Sequence, residues 1–267
     1  MGGTTLSIVR PQEVGARGVD TIFAFLREQL LSGAIRAGDR LLSERDLAIQ
    51  LGVSRPVLRE ALRALAVLGV VEIRRGMGTV VKTPGVGVLG DVFSFVLAHA
   101  SDVVEDVMEA RIAIECQAAR LACVRGTVAD AERLRAALDR IVVTIDDPVS
   151  GGLADHAFHR ALVEAGRSNT LTTLYNTLDG LLVRSHRDRR TLLSTPQEGR
   201  DYLIRHHRLI FDTFIERRAD RIDDVLREHF AIGNEFRRRG LSDGPMKAPP
   251  TPFERDAATP TGLEIAE

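Results

Sequence analysis

Four side chains on inward helical stripes are the best candidates for chemistry in this chain of 267 residues. Asp155 and His159 stand four apart, so they share one face of a helix, and Phe158 and Leu162 mark that helix as packing inward beside them. His207 falls on the stripe Leu203, His207, Ile210, Phe214, with His206 to one side. His229 is central in the stripe Ile222, Val225, Leu226, His229, Ile232, Phe236. Each imidazole has two nitrogens, and a buried polar atom needs a partner. A divalent cation would satisfy all four side chains at once, and bundle cores are a usual place for such sites. Three nitrogens and one oxygen suit Zn, Ni, Mn or Fe without choosing among them. The pattern alone leaves a bound metal and a metal-free polar network both open.

Arg111 interrupts another apolar stripe, Val104, Val107, Met108, Ile114, Ala118, Leu121. A buried guanidinium needs an anion. Glu115, four residues on, is one possibility, and the carboxylate of an effector gripped by the Arg fork is the other. Arg184 and Arg189 could line the same pocket, but periodicity equally allows them the surface. A metal with an open position could also activate water, as in a metal-dependent hydrolase. However, the sequence has no well-placed general base, nucleophile motif or phosphate-binding glycine loop.

These residues belong to a long helical region. Residues 88–239 carry helical periodicity almost throughout, with turn signals at Gly126, Asp146-Asp147-Pro148, Gly166 and Pro196, which fits six or seven helices. The N-terminal part reads differently. Between Arg40 and Val80, Ser43 caps a short helix with Asp46 placed to complete a capping-box-like arrangement, and Gly52 ends it. Ser54 caps a second helix with Pro56 in its first turn. Leu58, Leu62, Leu65 and Ala66 face its core, while Arg55, Arg59 and Arg63 lie off that stripe. The β-prone runs Val70–Ile73 and Thr79–Val81 flank Arg74-Arg75-Gly76-Met77-Gly78, a hairpin with a basic tip. The order is that of a winged helix-turn-helix, whose second helix reads the major groove and whose wing meets the backbone or minor groove. Arg55 and Arg59 stand where base contacts arise, and Arg can pair with both acceptors of guanine.

Composition supports this division. Residues 1–82 hold 12 Lys and Arg against 8 Asp and Glu, whereas the remainder holds 24 against 29. The basic excess therefore falls where phosphate binding needs it. Cys116 and Cys123 lie two turns apart on one helix and imply no disulfide framework. No signal peptide or membrane-spanning run is visible, and a cytoplasmic protein is expected. The expected fold is mainly α: a flexible arm at 1–17, a winged helix-turn-helix at 18–82, a linker at 83–88, an all-α helical bundle at 89–240 and a disordered tail at 241–267.

Residues Asp20 to Val81 resemble the DNA-binding domain of the GntR family of bacterial transcription regulators. The family's motifs stand here as Glu44-Arg45-Asp46-Leu47-Ala48, Gly52-Val53-Ser54-Arg55, Val57 to Arg63, and Gly76-Met77-Gly78-Thr79. The resemblance implies DNA contacts at Arg45, Ser54, Arg55 and Arg59 and a wing tip at Arg75-Gly76. Residues Asp91 to Gly240 resemble the FCD ligand-binding domain of the FadR subgroup, on Glu109 to Glu115, Asp155 to Leu162, His207 to Ile210, and His229. That resemblance implies metal ligands Asp155, His159, His207 and His229. It also implies a small carboxylate effector at Arg111 and Asn169. The resulting expectation is a homodimer on a pseudo-palindromic double-stranded operator, gated by the effector. A metal-free regulator taking an acyl thioester is the alternative, although an apolar pocket without histidines would suit that ligand better.

Overall fold

The computed structural model describes residues 11–97, 103–193 and 197–241. It divides between Val92 and Phe93 into two compact units.

The first unit opens with α1 (Pro11–Leu31), which starts inside the segment expected to be a flexible arm. Then come α2 (Glu44–Leu51) and α3 (Arg55–Val67), followed by the hairpin β1 (Val71–Arg74) and β2 (Gly78–Val81). Ser43 caps α2 by accepting the Asp46 N–H, and its hydroxyl donates to the Asp46 carboxylate at 2.7 Å. Ser54 occupies the N-cap position of α3 but makes no side-chain cap hydrogen bond, contrary to the sequence reading. Pro56 in the first turn removes one amide that would otherwise want such a partner. The strands pair antiparallel with Val71 opposite Val81 and Arg74 opposite Gly78, and Arg40 bridges to Val80 as a third edge. Ile22, Leu26, Leu47, Leu58, Leu62 and Val81 close one core. The inward face of α3 is therefore committed, which leaves its arginines outside.

The helix α4 (Gly87–Leu97) crosses the division, so it begins within the expected linker and buries no side chain among those described. The second unit holds α5 (Val103–Arg125), α6 (Val128–Val143), α7 (Pro148–Ala165), α8 (Asn169–Thr177), α9 (Asp179–Leu193), α10 (Gln197–Ile215) and α11 (Ile222–Leu241). Residues 88–239 thus carry eight described helices rather than six or seven. The additional division comes from a break at Leu178, which separates α8 from α9 just before Asp179-Gly180, a dipeptide not counted among the turn signals. The turns at Gly126, Pro148 and Gly166 fall where the sequence places them, whereas Pro196 and residues 242–267 lie outside the described residues.

Helix α7 is the centre of this unit. Leu134, Phe158, Leu162, Ile210, Phe214 and Leu226 form its core with neighbouring helices. Gly151 and Gly152 face inward at the start of α7. A Cβ on Gly152 would sit 2.8 Å from the Arg187 Cα, and one on Gly151 would sit 3.3 Å from the Arg190 guanidinium carbon. Only glycine lets α9 approach this closely, which carries the side chains of α9 to the polar end of α7.

Candidate functional site

His159 sits wholly buried on α7, and its Nδ1–H donates to Glu115 Oε2 on α5 at 2.6 Å. His207, also wholly buried, donates Nδ1–H to the Leu203 carbonyl one turn back at 2.7 Å. A carboxylate paired with Arg and a carbonyl can only accept, so both rings are fixed in the tautomer that leaves a lone pair on Nε2. Neither Nε2 has a hydrogen-bond partner. Both approach Asp155 Oδ1 at 3.4 Å. Lone pairs aimed at a carboxylate oxygen repel it unless a positive charge lies between them. Protonating His159 would supply one, but burial first, and Arg111 next, push its pKa well below the ordinary value.

His229 on α11 completes the group. One ligand atom from each of His159, His207 and His229 lies within 4.8 Å of the others. Burial, then the His207 and His159 rings, depress the His229 pKa strongly. Asp155 is held well below the usual carboxylate range: burial opposes ionisation, but His186 and His207 outweigh it. The donor set thus offers three imidazoles, an ionised carboxylate and outer hydrogen bonds that orient the His159 and His207 rings, which fits a divalent metal.

The expected residues do not all meet there. Asn169 is the first residue of α8, after the Ser168 N-cap, and is exposed; it is not brought to the cluster. Arg184 is exposed too, and the Arg189 side chain lies outside the described residues. Two other residues of α9 take part. His186 Nδ1 lies 2.9 Å from Asp155 Oδ1, and Arg190 Nε lies 3.7 Å from Asp155 Oδ2. The signal was present: Leu178, Leu182, His186 and Arg190 recur every fourth residue.

Arg111 is 1 % exposed and pairs with Glu115 at 2.5 Å. Its guanidinium carbon also rests 4.7 Å from the Phe230 ring centroid. Glu115 therefore joins Arg111 to His159, one oxygen for each. This realises the first of the two readings of Arg111 but leaves the second standing, because Arg111 Nη2 has no hydrogen-bond partner. A narrow cavity runs along this centre, lined by Arg111, Asp155, His186, Arg190, Tyr202, Leu203, His229 and Gly233. About 20 Å³ of it is open to the centre of a water-sized sphere, room for one small group. Neither the narrowness nor the polarity of the cavity suits a long acyl chain.

In the winged unit, Arg45, Ser54, Arg55 and Arg59 are exposed along α2 and the start of α3. Arg59 is held loosely, 3.9 Å from Glu44, and Arg63 pairs with Glu60 at 3.0 Å. Arg55, Pro56, Arg59, Glu60 and Arg63 line one open groove. Arg75 and Gly76 are exposed at the wing tip, where Gly76 takes a φ of 74° that a side chain would strain. Arg74 is turned back onto Glu72 at 2.9 Å.

A winged helix-turn-helix joined in one chain to an all-helical unit with a buried polar centre is the layout of a DNA-binding regulator. Residues 19–81 match the family described as bacterial regulatory proteins, gntR family, and residues 106–231 match the FCD domain. The chain is 33% identical over 182 residues to the HTH-type transcriptional regulator LutR of Bacillus subtilis, covering 68% of this chain and 83% of LutR. It is 31% identical over 231 residues to a protein described as an L-lactate dehydrogenase operon regulatory protein of Escherichia coli, covering 84% and 86%. A solved Streptococcus agalactiae GntR structure shares the fold at a TM-score of 0.60 and 22% identity, covering 83% of this chain and 99% of that one. The protein belongs to the GntR family of bacterial regulators, with an FCD domain as its second part. It is a DNA-binding transcription regulator and not an enzyme. No described helix is long and apolar enough to cross a membrane.

Proposed function

We propose that this regulator is controlled by a small organic acid bound beside a divalent transition metal in its helical unit. The observation that carries this is the convergence of His159 Nε2 and His207 Nε2, buried and without hydrogen-bond partners, on Asp155 and His229. Asp155, His159, His207 and His229 would hold the ion, with Zn, Ni, Mn or Fe equally suited to the donors. When bound, it supplies a Lewis-acidic anchor for a carboxylate oxygen. Arg111 Nη2 is free to meet the same carboxylate. The relative described as an L-lactate dehydrogenase operon regulatory protein makes lactate a rational first probe.

The protein acts in the cytoplasm as a homodimer of the FadR subgroup on a pseudo-palindromic operator. Arg55 and Arg59 read bases, while Arg45, Ser54, Arg75 and Gly76 meet the backbone and minor groove. An effector that binds one dimer geometry more tightly shifts the DNA-binding population. The test begins by selecting an operator from random DNA and measuring its binding by fluorescence anisotropy, with and without zinc and lactate. The reading expects lactate to change operator affinity in the wild type and leave it unchanged in His207→Ala. An equal response in the two proteins contradicts it.

A further inference from the structure

Arg40 stands outside the wing in sequence but on it in space. Its backbone bridges to Val80, and the amides around the bridge are paired too. Leu41 N–H donates to the Thr79 carbonyl and Val81 N–H to the Asp39 carbonyl, both at 2.9 Å. Glu72 meets Val80 from the other side, so Glu72, Val80 and Arg40 form one row across a three-stranded ribbon. Side chains of one row share a face, and the residues between rows point the other way. Val71, Thr79 and Val81 are the alternating residues and are buried, so the row that holds Arg40 faces outward.

The next outward pair toward the tip is Arg74 and Gly78. Glu72 neutralises Arg74 at 2.9 Å. Gly78 leaves its backbone bare, and the Arg40 guanidinium lies against it. A Cβ on Gly78 would stand 3.0 Å from Arg40 Nε and 3.3 Å from Nη2, so a side chain there would displace the guanidinium as well as strain a φ of 88°. Arg40 is exposed and has no ion pair or hydrogen bond among the described residues. The neighbouring Asp39 turns its carboxylate to the Arg36 N–H instead, at 2.8 Å. Close to Arg75, the wing therefore carries a second uncompensated cation, already seated on the ribbon with its donors spare.

We infer that Arg40 is a backbone contact of the wing: its guanidinium meets a DNA phosphate on the rim of the groove that the wing tip enters. Duplex DNA carries one negative charge per about 1.7 Å of its axis, so a cation this near the tip has a phosphate within reach. A guanidinium already seated loses less freedom on meeting that phosphate than one on a solvated arm. The contact comes from the segment before α2, so the short stretch from Arg40 to Arg45 ties the wing to the helix-turn-helix. It depends on DNA binding alone and not on the metal.

The test is anisotropy titration of the full-length protein in rising salt, on a duplex selected from random DNA and on an unrelated duplex. Arg40→Ala should weaken binding to both by a similar factor, about three- to tenfold, and lower the log–log salt slope by about 1 per bound subunit. Arg40→Gln takes its place if the alanine variant does not fold. Arg40→Lys should keep the wild-type slope, because the charge remains. Arg36→Ala removes another exposed arginine, four residues earlier and toward the base of the wing, and should leave the slope unchanged. An unchanged slope in Arg40→Ala overturns the inference. An equal fall in Arg36→Ala also overturns it, by making the effect one of net charge. A loss confined to the selected duplex does so too, by making Arg40 a reader of bases.

Discussion

Arg55, Arg59 and Arg63 stand exposed along α3, whereas Arg111 and Arg190 are each 1 % exposed inside the helical unit. The same side chain serves opposite purposes in the two places. On α3 the charges remain solvated, their ion pairs are exposed, and folding owes them little. In the bundle each charge has been removed from water, so its neighbours must hold it, and any neighbour lost leaves an unpaired buried ion. The winged unit can therefore change its DNA preference by surface substitution at small cost to stability. The helical unit cannot change its centre without changing its stability.

The largest effect that would break this contrast is at Glu115, which serves both Arg111 and His159. Glu115→Ala should cost about 3–5 kcal/mol, measured by urea unfolding. A loss below about 1 kcal/mol would mean the buried network is not what holds α5 to α7. Arg59→Ala should weaken specific operator binding by about 1–3 kcal/mol, roughly tenfold to a hundredfold, and shift stability by less than about 0.5 kcal/mol. A comparable fall in stability would erase the distinction between the two sets of arginines.

The pH response should differ as well. Burial pushes His159, His186 and His229 well below their ordinary value near 6.5, and His206 down to about 4. The unfolded chain then binds more protons than the folded one below about pH 6.5, so stability is full above that pH and declines as pH falls. Chelator-treated protein should lose several degrees of melting temperature between about pH 7.5 and pH 5, and a flat profile would contradict the buried, neutral histidines. The smallest effect belongs to the wing. Arg75→Ala should weaken binding about equally on all sequences and reduce the log–log salt slope by about 1, as read from anisotropy titrations in rising salt. A change in sequence preference would move Arg75 from a backbone contact to base readout.

Legibility also differed between the units. The winged unit is built from local signals: Ser43, Gly52, the leucine stripe of α3 and the basic wing each announce a nearby structure, and they were readable in order. The four candidate ligands were readable because each sits on an apolar stripe where a polar residue is out of place. His186 and Arg190 also lie on such a stripe, after Leu178 and Leu182, but α9 carries Arg184, Arg187, Asp188 and Arg189 around them. That charge density makes the helix read as solvated on every side. Only the close approach of α9 to Gly151 and Gly152 reveals which face is inside. Asn169 failed for the converse reason: family position suggested the pocket, while its place at the first position of α8 directs it to solvent. The double use of Glu115 depends on α5 meeting α7, which a sequence pattern within one helix does not carry.

The most direct test of the buried centre is elemental analysis of untagged protein beside a His207→Ala, His229→Ala variant. The account predicts about one transition metal per chain in the wild type, with most of it lost in the variant, since two of four donors are gone. No metal in either protein, even after dialysis against zinc, nickel and manganese salts, would contradict it. The histidines would then form a metal-free polar network.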